Sequence, residues 1–145
     1  MTASQQGGNP AAAIAAAATG VELVDEVVDR GVQAISVEGG PDVHQVIAYD
    51  LAHSASAALA ARVMLDYGQK GAPEQELACL FVAEVLSDLS ARATGREEDW
   101  GLTEGWLAPA RDFLRTYRRP NRLAATCGAD HPRHLNEAVS YTHLR

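Results

Sequence analysis

Residues 72–95, APEQELACLFVAEVLSDLSARATG, decide the fold class. Leu77, Ala78, Phe81, Val82, Val85, Leu86, Leu89 and Ala93 recur three and four positions apart. That spacing gathers side chains on one side of an α-helix, whereas a strand would scatter them over both faces. Pro73-Glu74 suits a first helical turn: proline there loses no hydrogen bond, and glutamate meets the positive end of the dipole. Gly95 closes the segment. The predicted element is a helix with one broad apolar face, Phe81 among its core anchors.

Upstream, Gly71-Ala72-Pro73 breaks the chain, and before it Val43, Val46, Ile47, Leu51, Ala55, Ala58, Ala61, Met64 and Leu65 repeat at helical spacing. This second helix stops at Tyr67-Gly68, and Arg62 and Asp66 stand at the i, i+4 spacing of an ion pair. The short break makes the two helices an antiparallel hairpin. Gly39-Gly40-Pro41-Asp42 separates them from a first helix, which starts at Asn9-Pro10 with Asn as N-cap. It carries Val21, Leu23, Val24, Val27 and Val28 and is expected to end near Arg30 with Gly31 as C-cap. Gly20 is its weak point. Downstream, Thr103 is the expected N-cap of a fourth helix from Trp106 to Tyr117, which stops before Pro120. Residues 121–132 read as loop, and His134-Leu135-Asn136-Glu137 as the start of a further helix. No stretch alternates like a strand. The fold expected is all-α: an up-and-down antiparallel bundle of about four helices over residues 10–118, after a polar, disordered segment 1–9.

With 145 residues and 47% hydrophobic content, the chain can bury one real core. Heavy alanine use before residue 65 favours closely packed helices over sheets. A net charge of −7 argues against nucleic acid as a partner. Two cysteines, Cys79 and Cys127, point to a reducing compartment, and no membrane-length apolar run or signal peptide is visible. A cytoplasmic protein is expected. Residues 139–145, VSYTHLR, resemble a translated sequencing-library adapter, a transposon mosaic end read in one frame. They are excluded from fold reasoning, with Tyr141 and His143, and the natural sequence then breaks off near Ala138.

Few residues suggest chemistry. Cys127, His131 and His134 have metal-like types but lack the paired short spacings of a zinc site. Asp50, His53 and Ser54 suggest an acid–histidine–hydroxyl relay, yet neighbours on a helix point in different directions and no glycine elbow presents the serine. A half-buried histidine bonded to Asp50 is the expected arrangement. Arg115, Arg118, Arg119 and Arg122 beside Tyr117 can bind a phosphate such as a coenzyme A tail, or form a solvated helix end. Glu97-Glu98-Asp99 lacks the glycine and alternating oxygens of a calcium loop. Trp100 and Trp106 are expected to close the bundle. No phosphate-cradling loop or dinucleotide fingerprint occurs. From the residues alone, no catalytic, cofactor-binding or metal residue is assigned.

Three stretches carry a resemblance: residues 48–57 (AYDLAHSASA), residues 76–84 (ELACLFVAE), and Gly95-Arg96-Glu97 with Trp100-Gly101. Together they resemble a helical extension that precedes the dehydrogenase core in the branch of acyl-CoA dehydrogenases containing the methylsuccinyl-CoA dehydrogenases. Tyr117-Arg118-Arg119-Pro120 and Pro132-Arg133-His134-Leu135 are similar to the junction into that core, so residues 119–138 become a linker toward it. The likeness spans roughly residues 43–137.

The resemblance implies a homo-oligomeric FAD enzyme that oxidises an acyl-CoA to the 2,3-enoyl-CoA. A glutamate takes the α-proton, the β-hydride passes to the flavin, and an electron-transferring flavoprotein reoxidises it. That glutamate and the flavin site lie beyond residue 138, so this chain is expected to hold no FAD itself. The competing expectations are a free-standing helical interaction module without activity and a DNA-associated relative, which the acidic balance disfavours.

Overall fold

The Asn9 side chain accepts a hydrogen bond from the Ala11 N–H at 3.1 Å, and Pro10 opens the first helix behind it. The computed structural model describes residues 9–120 and 122. Within them run α1 (Pro10–Val37), α2 (Gln45–Tyr67), α3 (Ala72–Ala93) and α4 (Arg111–Tyr117), with one 3-10 turn at Ala108–Ala110. No strand occurs among the described residues. The architecture is the expected all-helical bundle. The adapter-like residues 139–145, segment 1–8, the Cys127, His131 and His134 set and most of the linker lie outside the described residues.

Contacts fix the helix directions. Gly31 of α1 lies against Leu51 of α2, and Asp25 pairs with Arg62, so these two helices run antiparallel. Gly68 at the end of α2 lies against Ala78, while Asp50 near its start meets Arg92, so α2 and α3 form the expected antiparallel hairpin. Cys79 reaches the Ala13 carbonyl, and Gly20 touches Leu86, so α1 and α3 run parallel. The core between them holds Val24, Val27, Val82, Leu86 and Leu89, each at most 1% exposed. Burying each such side chain contributes about 1.5–3 kcal/mol.

Four expectations need correction. First, α1 does not end at Arg30 but runs to Val37. Gly31 is a helix-crossing contact rather than a cap: a Cβ there would sit 2.4 Å from Leu51 Cδ2. The chain turns later, at Gly39 and Gly40, which take φ of 109° and 79°, conformations that favour glycine.

Second, the buried face of α2 is not the stripe drawn from Val43. Its inner side is Ile47, Asp50, Leu51, Ser54, Ala58 and Ala61. Val43 and Val46 are exposed. Small and polar residues on the inner side disguised it, and bulky apolar residues on the outer side imitated a core.

Third, α3 buries Ala78, Cys79, Leu80, Val82, Ala83, Val85, Leu86 and Leu89, whereas Leu77 is exposed and Phe81 only partly buried. Fourth, the last helix begins at Arg111 instead of Trp106, and Thr103 caps nothing. Gly105 at φ 78° and Pro109, which disfavours helix in the residue before it, delay its start.

Candidate functional site

Asp50 is the most conspicuous polar group of the bundle, 7% exposed on the inner side of α2. Burying a lone carboxylate is costly, and two cations answer it. Arg92 Nη1 donates to Asp50 Oδ1 at 2.6 Å, and Arg96 Nη2 donates to Asp50 Oδ2 at 2.9 Å. Arg92 also gives its Nε–H to Asp88 at 2.8 Å. The hydrogen bond from Asp88 is the leading cause that raises the Arg92 pKa, against the opposing effect of burial. One turn on along α2, His53 Nε2 stands 3.2 Å from Asp88 Oδ2.

The expected Asp50–His53 bond is therefore replaced by His53–Asp88, because the two arginines occupy Asp50. Ser54 points the other way from His53: it is 2% exposed and its hydroxyl has no partner among the described residues. No histidine–serine relay forms. The cluster can hold α2 to α3, and its carboxylates already have cationic partners.

The arginine group at the end of α4 is also largely neutralised. Arg115 pairs with Asp112 at 3.5 Å, Arg118 with Glu84, and Arg122 reaches Glu76 at 2.5 and 3.0 Å. Arg119 donates Nε–H to the Arg115 carbonyl at 3.1 Å, which caps the helix end. This pattern fits the solvated helix end rather than a phosphate cradle. Arg62, expected to pair with Asp66, instead joins Asp25 across the helix boundary.

A cleft of about 1160 Å³ opens beside this end, lined by Pro10, Gln75, Glu76, Tyr117, Arg119 and Arg122 among others. Cys79 lies at its base, fully buried. Burial pushes its thiol up from the ordinary range, only partly offset by a hydrogen bond with Tyr117. Burial, reinforced by Cys79, likewise raises Tyr117. A reactive thiol needs its pKa lowered, so Cys79 is placed as a packing residue and not as a nucleophile. The Tyr117 ring meets Phe113 at 4.7 Å and the Arg122 guanidinium at 4.3 Å.

Trp100 is fully buried and Trp106 packs against the core, the closing role expected of both. The backbone of Glu97 and Glu98 accepts the N–H groups of Trp100, Gly101 and Leu102, so the acidic run is a tight turn. Among the described residues no cluster of three metal-ligating side chains occurs, and no helix is long and apolar enough to cross a membrane. Sequence reasoning missed the Asp50–Arg92–Arg96 cluster. One signal was present: Asp50 shares the helical register of Ile47, Leu51 and Ser54 on an otherwise apolar face. Comparison with protein families, with curated proteins and with solved structures finds no match to this chain.

Proposed function

We propose that this chain is the N-terminal, non-catalytic helical domain of a flavin-dependent acyl-CoA dehydrogenase of the methylsuccinyl-CoA dehydrogenase-like branch. The observation that carries this reading is the meeting of the three stretches that bear the resemblance. Asp50 from residues 48–57 bonds Arg96 from the third stretch. Residues 76–84 supply Ala78, Cys79, Leu80, Val82 and Ala83 to the core, and Trp100 is fully buried. Segments distant in sequence thus resemble that extension at the positions that hold one bundle together.

In this reading the parent oxidises an acyl-CoA to the 2,3-enoyl-CoA in the cytoplasm, as a homo-oligomer with FAD in its core. An electron-transferring flavoprotein takes the electrons. The cofactor carries the redox chemistry, and the α-proton goes to a glutamate of the core rather than to any glutamate here. This domain binds no FAD. Its task is to cover or organise the core, joined through residues 119–138.

Titrating the chain with a purified dehydrogenase core of that branch tests the assignment. Binding to the folded bundle raises its melting temperature by mass action, by about 2.7 kcal/mol at a hundredfold excess over Kd. An unchanged melting temperature would count against it. A second reading, a free-standing interaction module, is favoured by the uncovered apolar residues of α2, and an unchanged melting temperature would support it.

A further inference from the structure

Helix α2 is apolar on both sides. Opposite its packed face it exposes Val46 at 68%, Tyr49 at 69%, Leu59 at 62% and Val63 at 63%. Between them stand the small residues Ala52 and Ser56, also exposed. A helix apolar all round is one that is buried on all sides. We propose that this face is an interface between two copies of this chain, with the α2 helices packed antiparallel about a two-fold axis.

The order of side chains argues for a second copy. A two-fold interface requires that residue i of one copy meet residue j of the other, and the reverse. Val46 and Val63 are equidistant from the Ser54–Ala55 bond, and Tyr49 and Leu59 are equidistant to within one residue. Antiparallel pairing therefore sets each valine against the other copy's opposite valine and each tyrosine against a leucine. Ala52 and Ser56 fall at the crossing point, where small side chains let backbones approach. Ser56 Oγ already donates to the Ala52 carbonyl at 2.9 Å, so burying it strands no donor.

The borders suit the same occupant. Along one side Arg62 is paired with Asp25, and along the other His53 with Asp88. An apolar centre within a rim of satisfied charges is the common anatomy of a stable interface. Two helices of 23 residues, with their flanks, offer on the order of 700 Å² per copy, near the ~800 Å² per partner of a standard interface. This inference does not rest on the dehydrogenase assignment.

Sedimentation equilibrium of the whole chain tests it, with twice the 15.4 kDa chain mass expected. The double variant Leu59→Lys, Val63→Lys changes only exposed positions, and circular dichroism checks that it stays helical. Its dimer Kd is expected to rise at least about tenfold. Val46→Cys and Val63→Cys chains, each with Cys127→Ser, are then mixed under mild oxidation, and mixed disulfides should outnumber either homodisulfide. A chain that stays monomeric to about 100 µM, a dimer that the lysines leave intact, or homodisulfides in excess would overturn the proposal.

Discussion

Asp50 and Arg92 face each other across the α2–α3 boundary, Oδ1 to Nη1 at 2.6 Å, with the carboxylate nearly out of solvent. Removing one side of a buried pair leaves the other charge desolvated and unanswered. Both arginines keep some solvent access here, with 23% and 34% of their side chains exposed. Asp50→Ala is accordingly expected to lower unfolding free energy by about 2–4 kcal/mol. Arg96→Ala, at the wetter end, should cost about 1 kcal/mol or less. Urea titration of both variants checks the order, and equal losses would remove Asp50 from the centre of the cluster.

Gly31→Ala should destabilise although alanine is the better helix former by about 1 kcal/mol. The new Cβ would meet Leu51 Cδ2 at 2.4 Å, with Cδ1 and Cγ at 3.2 and 3.3 Å, so the whole buried side chain must shift. Overpacking of this kind costs about 1–3 kcal/mol. At Gly20 the nearest atom is one terminal carbon, Leu86 Cδ1 at 2.9 Å, and the loss should be smaller. Thermal melts of the two variants decide it; a stabilised Gly31→Ala chain would contradict the close crossing.

Leu86, fully buried between α1 and α3, is the better core anchor than the partly exposed Phe81. Leu86→Ala should remove about 3–5 kcal/mol, a large share of the ~5–15 kcal/mol that a domain of this size holds. Phe81→Ala should remove less. Comparing denaturant midpoints at equal m-values tests the ranking.

The pH dependence follows from Cys79 and Tyr117, both raised by burial. A raised acid is harder to ionise folded than unfolded, so its stability contribution is full below the unfolded pKa and lost as pH rises above it. Stability should therefore fall from about pH 8.5, where an unfolded thiol ionises, and further above about pH 10 as unfolded tyrosine follows. Cys79→Ala should remove the first decline and leave the second. Urea midpoints from pH 7 to about 10.5 measure it, and a decline that survives Cys79→Ala would assign it elsewhere.

Helix existence and order were legible because long apolar periodicities on Leu77–Leu89 and Val21–Val27 leave little choice. Which face of α2 points inward was not. Periodicity weighs bulk, and the packed side of α2 is built from Ala58, Ala61, Ser54 and Asp50 while its outer side holds Val46, Tyr49, Leu59 and Val63. The glycines misled for a related reason: Gly31 reads as a stop by propensity but serves a crossing seen only in three dimensions. Ion-pair partners were illegible because Arg62, Arg92 and Arg96 choose acids on other helices over nearby sequence neighbours, or as well as them.

The dehydrogenase assignment stands or falls on what the parent gene encodes after Ala138. Amplifying and reading that coding sequence from the source DNA measures it directly. The expected result is an open frame that replaces residues 139–145 and continues into a flavin-binding dehydrogenase core with its own base glutamate. A stop codon shortly after residue 138, or a downstream domain without such a core, would contradict it.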